Sequence, residues 1–345
     1  MRKVISIVGA RPQFIKLEPF SKEIRKEFKE IILHTGQHFD KNMSSLFFEE
    51  LKIAKPDFEL GVGGGSHAEQ TARMLVDIEK ILILEKPDFV VVFGDTNSTL
   101  AGALATSKLN LPLVHIEAGL RSFNMQMPEE INRKITDNIS NYLFVPTHNG
   151  MRNLKNEGCL ENAFLTGDIM VDSLENAKTL NKGKKTKTVL DSILVTLHRP
   201  YNVDDPEKLV DILNQLVRLK KRITFPIHPR TVKFLGSSIH DFSNLIDFIE
   251  PLGYLDFVAM MEYSSLIVTD SGGIQKEAYL LKKPCVTLRT ETEWVETVEA
   301  GWNLLVDPNE EAFWNKIKGF APPSKHENIF GENVAEKMVN LVKSF

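Results

Sequence analysis

The sequence predicts an α/β chain of two doubly wound domains, and three observations predict it. Short β-branched runs alternate with longer stretches in which apolar residues recur every three or four positions, the pattern of parallel strands joined by crossover helices. The chain has 345 residues, more than one hydrophobic core usually fills and enough for two domains of ordinary size. A polar, strongly basic stretch from Asn181 to Thr188 breaks the alternation, which then starts again, so this stretch reads as a solvated linker.

In the first half the expected strands are Val4–Val8, Ile31–His34, Phe89–Phe93, Leu113–Ile116, Tyr142–Val145 and Ala163–Leu165. Between them Phe14–Phe28, Ala68–Glu85, Thr96–Lys108, Glu129–Ser140 and Thr147–Glu157 carry the spacing of helices laid on a sheet. A second α/β domain begins near residue 172, with strands Ser192–Thr196, Ile223–Pro226, Leu245–Phe248, Leu266–Thr269 and Cys285–Thr287 separated by further helices. After the proline-rich break Ala321–Ser324, the amphipathic stretch Asn333–Val342 is free to pack on either half. Nothing repeats at a short fixed period, which argues against a solenoid.

Hydrophobic residues make up 42% and charged residues 26% of the chain, which excludes a disordered, collagen-like or coiled-coil protein. A formal charge of -4 supplies no global basic field, so neither nucleic acid nor an anionic membrane is expected as a partner. Cys159 and Cys285 stand far apart in sequence, form no metal spacing, and are expected to be buried small apolar residues in a reducing compartment. The apolar stretch Val4–Val8 is too short for a signal or spanning segment, and the protein is expected to be soluble and cytoplasmic.

Ligands of open parallel sheets bind beyond the carboxyl ends of the strands, so the polar residues just after each strand come first. After the first strand, Gly9 permits a tight turn, Pro12 suits the first helical position, and Arg11 sits beside the helix N-terminus. That arrangement suits a phosphate or carboxylate, or else a surface arginine that caps a turn. No Gly-x-Gly-x-x-Gly follows the strand, and Gly63–Ser66 has no Lys-Ser/Thr after it, so dinucleotide and P-loop fingerprints are both missing. Three carboxylates follow: Asp95 and Glu117 after strands, and Glu129 where Pro128 opens a helix, with Arg133 one turn further on. Each alone reads as an N-cap or a helix-dipole partner; together they are what proton transfer to and from carbon needs.

The second domain places His198-Arg199 after its first strand and His228-Pro229-Arg230 after its next, two clusters that favour an anion. The sharpest signal is Thr269-Asp270-Ser271-Gly272-Gly273, a strand that ends in a Ser-Gly-Gly turn and enters a helix, with Glu277 a turn later. Bare amides and a positive dipole there suit a diphosphate, and Glu277 could accept from ribose hydroxyls.

These motifs resemble the non-hydrolysing UDP-N-acetylglucosamine 2-epimerases along nearly the whole chain. The resemblance rests on Gly9-Ala10-Arg11-Pro12 with Lys16, Thr35-Gly36-Gln37-His38, Gly94-Asp95-Thr96, His115-Ile116-Glu117-Ala118-Gly119-Leu120-Arg121 and Pro128-Glu129-Glu130-Ile131-Asn132-Arg133. It continues through Gly167-Asp168, His198-Arg199, His228-Pro229, Ser271-Gly272-Gly273 with Glu277, and Arg289 with Thr292-Glu293. It implies two Rossmann-like domains facing a cleft, as in B-type glycosyltransferases, with UDP in the cleft and the last helix crossing back to the first domain. The expected domains are then residues 1–171 plus 332–345, and residues 172–331, with a hinge near Gly167–Val171 that closes on substrate.

The implied chemistry is removal of the sugar C2 proton, anti elimination of UDP to a 2-acetamidoglucal, and re-addition, without redox cofactor or metal. Asp95, Glu117, Glu129 and His198 are the expected catalytic residues. The expected substrate and UDP ligands are Arg11, Lys16, Gln70, Arg133, Arg199, His228, Ser271, Gly272, Gly273, Glu277 and Arg289. A second UDP-sugar site is expected at Gln37 and His38, and the enzyme is expected to be a homodimer that supplies glycan precursors. Two departures stand out: the family's usual Gly-Thr-Arg-Pro-Glu is Gly9-Ala10-Arg11-Pro12-Gln13 here, and its usual Thr-Glu-Arg-Pro-Glu is Thr292-Glu293-Trp294-Val295-Glu296. Both look like the branch that acts on the UDP derivative of 2,3-diacetamido-2,3-dideoxy-glucuronate, where a neutral residue 13 would ease binding of a sugar carboxylate. A glycosyltransferase of the same fold, a hydrolysing epimerase and a non-catalytic UDP-sugar sensor are the alternatives, and the acid trio argues against the first and the last.

Overall fold

The computed structural model describes residues 1–37, 47–182 and 191–345. His38 and residues 183–188 of the expected linker lie outside the described residues. The chain divides into two units, Met1–Asn176 with Asn328–Phe345, and Ala177–Glu327.

Unit 1 holds strands β1 (Lys3–Val8), β2 (Lys29–His34), β3 (Phe58–Glu59), β4 (Phe89–Phe93), β5 (Leu113–Ile116), β6 (Tyr142–Val145) and β7 (Ala163–Leu165). They form one parallel sheet in the order β3-β2-β1-β4-β5-β6-β7. The middle strands are apolar without alternation because helices cover both faces; every residue of β4 is buried. Helices α1 (Arg11–Ile24), α2 (His67–Glu85), α3 (Asn97–Lys108), α4 (Pro128–Ile139) and α5 (His148–Asn156) connect them, and α6 (Met170–Asn181) follows β7 and carries the chain from Asn176 into Ala177 of unit 2. Ser66, Thr96 and Thr147 cap α2, α3 and α5 by accepting first-turn amides. Helix α3 lies close over the sheet, for a Cβ on Gly102 would stand 3.0 Å from Ile7 and 3.1 Å from Val92.

The last helix, α7 (Val334–Lys343), belongs to this unit and packs on α1. The Asp172 carboxylate accepts the Val334 and Ala335 amides at 3.2 and 2.6 Å. Gly167, at φ +94, lets its backbone approach the Phe330 carbonyl, which the Asp168 amide reaches at 2.9 Å. The ring of Phe345 stacks on Tyr142 at 3.6 Å.

Unit 2 repeats the same winding with strands β8 (Ile193–Thr196), β9 (Ile223–Pro226), β10 (Ile246–Ile249), β11 (Leu266–Thr269), β12 (Cys285–Thr287) and β13 (Asn303–Leu305), ordered β10-β9-β8-β11-β12-β13. Val195, Phe225, Val268 and Val286 from its strands meet Leu209 and Leu213 in the core. In both sheets the order reverses between the first and fourth strands, β1/β4 and β8/β11, and there the loops part to leave room for a ligand.

Several elements differ from expectation. Strands β3 and β13, of two and three residues, are too short to carry a period. Strand β10 begins at Ile246 because Leu245, more than half exposed, closes a turn onto the Phe242 carbonyl. Helix α6 occupies the stretch after the expected hinge and runs to Asn181. Cys285 is buried, and burial pushes its thiol up to about 12, whereas Cys159 is only partly buried.

Candidate active site

At the first switch point Gly9 ends β1 where a Cβ would collide with the hydroxyls of Thr35 and Ser98, so only glycine fits. Gln13, in the first turn of α1, is fully enclosed. Its Oε1 accepts the Gly9 and Ala10 amides at 2.7 and 3.0 Å, and its Nε2 donates to the Phe93 carbonyl at 2.8 Å and to Thr99 Oγ1 at 3.0 Å. Gln13 thus bonds the head of α1 to the seam between β1 and β4. Arg11 is half-buried at the head of α1, its guanidinium 5.4 Å from the centre of the Phe47 ring.

Two of the three expected carboxylates, Asp95 and Glu117, meet at Gly94, the residue after β4. A Cβ on Gly94 would stand 3.1 Å from Glu117 Oε2 and 3.2 Å from Lys16 Nζ. Those two side chains form a buried ion pair directly over the turn. Glu117 has φ +75, a left-handed conformation that a non-glycine residue keeps only when its surroundings enforce it, and that concentrates at functional sites. Asp95 is not the N-cap of α3, a place that Thr96 takes; its carboxylate faces outward to Arg133 Nη2 at 2.6 Å. Arg133 Nη1 also donates to Glu130 at 2.8 Å, and Asn132 donates to the Asp95 carbonyl at 2.8 Å. Asp95, Glu117, Lys16 and Arg133 therefore share one strand-end cluster, and Glu129 heads the neighbouring helix α4, half-exposed.

Sequence reasoning missed the frame around this cluster. Glu130, fully buried, accepts the Ser122 and Phe123 amides and fixes the loop before α4. Asp137 accepts from His115 Nδ1 at 2.7 Å, from Arg121 Nη1 at 2.7 Å and from the Gly119 amide at 3.1 Å. Burial alone would raise the Asp137 carboxyl; His115 and Arg121 outweigh it and hold it below the usual carboxylate range. The available signal was a polar residue inside an apolar strand run, His115 in Leu113–Ile116. Gln37, expected at a second site, accepts from the Ser98 amide and hydroxyl at 2.9 and 2.7 Å, and Gln70, expected to bind substrate, accepts from Asn97 at 2.8 Å, so both attach to the head of α3.

In unit 2 the buried carboxylate of Asp270 ties the β8 and β11 loops together. It accepts the amides of His198 and Arg199 at 3.1 Å each and Asn202 Nδ2 at 3.1 Å, with His198 Nδ1 at 3.1 Å. Burial would raise its carboxyl, but these bonds, led by His198, hold it below the carboxylate range. Helix α8 (Gly272–Leu280) starts next to it, and the Ser271 side chain does not cap its first turn. A Cβ on Gly272 would meet Glu293 Oε1, whereas one on Gly273 would meet nothing within 4 Å among the described residues. Arg289 and Glu293, both buried, pair at 3.1 Å, and Glu277 lies buried one turn along the helix from Gly273. His228 is exposed and caps the helix after β9, accepting the Arg230 amide at 3.2 Å. The structure thus joins His198, Arg199 and the Ser271–Gly273 turn through Asp270, and gives His228 a capping bond of its own.

The family model for UDP-N-acetylglucosamine 2-epimerase matches residues 22–343. A "UDP-N-acetylglucosamine 2-epimerase homolog" of Methanococcus maripaludis is 52% identical over 357 residues, 99% of this chain and 99% of its own length. A UDP-2,3-diacetamido-2,3-dideoxy-D-glucuronate 2-epimerase of Pseudomonas aeruginosa is 50% identical over 316 residues, 88% of each chain. The crystal structure of Methanocaldococcus jannaschii UDP-GlcNAc 2-epimerase in complex with UDP-GlcNAc and UDP matches with a TM-score of 0.90 at 42% identity, covering 100% of both chains. The GT-B-like fold that the motifs implied is therefore borne out. With these matches running through both units, the chain belongs to the UDP-N-acetylglucosamine 2-epimerase family and is an isomerase.

Proposed function

We propose that the enzyme interconverts UDP-N-acetylglucosamine and UDP-N-acetylmannosamine without hydrolysis. The observation that carries this reading is the cluster around Gly94, where two carboxylates at neighbouring strand ends are each paired with a cation, Glu117 with Lys16 and Asp95 with Arg133. A cation beside each acid favours its ionised form, the form a base needs, and Glu129 adds a further acid at a helix head.

In the proposed reaction a carboxylate takes the C2 proton, the C2–H electron pair becomes the C1=C2 bond, and the C1–O bond to UDP breaks. UDP then re-adds at C1 while an acid delivers a proton to the other face of C2. Asp95, Glu117 and Glu129 share these roles, and His198 assists the departing diphosphate. The amides of Gly272 and Gly273 and the positive end of α8 receive the phosphates, with Ser271, Arg199, His228 and Arg289 as further ligands in unit 2, and Arg11 is assigned to UDP binding from unit 1. Glu277 accepts ribose hydroxyls, and Lys16, Gln70 and Arg133 contact the sugar. The product is an activated N-acetylhexosamine, the donor form that glycan-assembling transferases consume, and we assign the enzyme to the cytoplasm as a homodimer.

A second substrate, the UDP derivative of 2,3-diacetamido-2,3-dideoxy-glucuronate, is favoured by the Pseudomonas aeruginosa relative and by Trp294, whose ring lies 4.3 Å from Lys276 Nζ. Incubation with each UDP-sugar in deuterated water, followed by NMR, tests both readings. Deuterium at C2 with the 2-epimer accumulating identifies the substrate; free sugar plus UDP, or no exchange with either, refutes non-hydrolysing epimerisation.

A further inference from the structure

Gly94 is gripped from two sides. Above it stands the Lys16–Glu117 pair, close enough to crowd a Cβ, at a φ of +63 that favours glycine. Below it His115, wholly buried, directs Nε2 at the Gly94 carbonyl at 2.7 Å, while the Gly94 amide donates to the Ile116 carbonyl at 2.9 Å. The other ring nitrogen of His115, Nδ1, faces Asp137 Oδ1 at 2.7 Å. A carbonyl and a carboxylate are both acceptors, so each ring nitrogen faces a hydrogen-bond acceptor. Asp137 continues to Arg121, and Arg121 to Glu157 at 2.6 Å, with Lys134 at the exposed end 3.5 Å from Glu157. Asp137, which also accepts from Arg121 and from the Gly119 amide, is thereby a fixed acceptor for the His115 ring.

We propose that His115, buried and bonded through both ring nitrogens, acts as the positioning residue for the Gly94–Asp95 turn. Through the Gly94 carbonyl it fixes where Asp95 leaves the sheet and where the Lys16–Glu117 pair sits, and through Asp137 it fixes the Gly119 amide beyond Glu117. It touches no substrate; it holds two of the groups that do, a role that rests on the epimerase reading.

The test uses the full chain with 15N-labelled histidine. The signals of both His115 ring nitrogens are expected to show a hydrogen bond, one to Gly94 and one to Asp137; a ring nitrogen without its hydrogen bond overturns the proposal. His115→Gln keeps a donor for Gly94, and His115→Asn keeps one for Asp137. A small misplacement of reacting groups costs up to about 10²-fold in rate, so the Asn variant should lose about a hundredfold in kcat and the Gln variant about tenfold, with KM nearly constant. Equal losses that follow melting temperature, or none, overturn positioning. A wild type that exchanges no C2 proton with either sugar refutes the epimerase reading alone. Positioning is then read from the Asp95 carboxyl 13C signal, which should move in the Asn variant and stay in the Gln variant; the reverse overturns it.

Discussion

Gln13 donates its side-chain amide to the carbonyl of Phe93 at 2.8 Å, so the first turn of α1 is bonded to the end of β4, the strand that carries the acid-bearing turn. Replacing Gln13 by Glu would set a carboxylate oxygen against that carbonyl, which only a protonated acid tolerates. Its folded pKa would lie above the unfolded value of about 4.3, so the lost stability grows as pH rises beyond that value. The gap in Tm between wild type and Gln13→Glu should widen from pH 5 to pH 8. A constant gap would mean that the new side chain leaves the seam.

The acid trio separates chemistry from scaffold. Asp95→Asn, Glu117→Gln and Glu129→Gln should each lower kcat by about 10²–10⁴-fold while UDP affinity holds, as loss of an acid/base group does. Glu117→Gln should also lower Tm, because it removes the carboxylate charge of the Lys16–Glu117 ion pair. Turnover near that of wild type in all three would remove the assignment.

Adjacent glycines in unit 2 predict opposite outcomes. Gly272→Ala drives a methyl into the buried Glu293 carboxylate and should destabilise by about 1–3 kcal/mol. Gly273→Ala meets nothing within 4 Å and should keep the wild-type Tm, yet weaken UDP about tenfold by blocking phosphate approach. Calorimetric UDP titration of the second variant decides; an unchanged Kd would move the diphosphate off this turn.

Acid should unfasten the second switch point. The Asp270 carboxyl is held below its unfolded pKa of about 3.9, so its contribution is complete above that value and is lost as pH falls through the folded pKa. Asp270→Asn should cost about 1.5–3 kcal/mol near neutrality. The Tm difference should be flat from pH 8 to about pH 5 and shrink below about pH 4; a difference that persists at pH 3 would assign the effect to packing.

Most strands were legible because buried parallel strands are apolar throughout, and the alternation of strand and helix imposes the winding. Strand β13 was not, since Asn303-Leu304-Leu305 is too short to distinguish from a loop. At the site, the reading that polar residues follow strands found Asp95, Glu117 and the Ser271–Gly273 turn. It could not foresee that Gln13 turns inward, that Thr96 rather than Asp95 caps α3, or that His228 caps a helix, for these depend on which neighbour each side chain meets. Asp270 looked like an ordinary turn residue in sequence and proves to be the knot of its unit.

The interleaving of the two units sets a timetable for synthesis. Residues 177–327 form one uninterrupted unit, whereas the unit that carries the acid cluster is completed only by residues 328–345. The Asp172 carboxylate and the Gly167 backbone therefore wait, unpartnered, until Phe330, Val334 and Ala335 have been made. On the ribosome the later-encoded unit can close before the earlier one, reversing the usual N-terminal-first order of folding. A chain that stops at residue 327 ends with the Ser271–Gly273 turn built and the acid-bearing unit still open along α1.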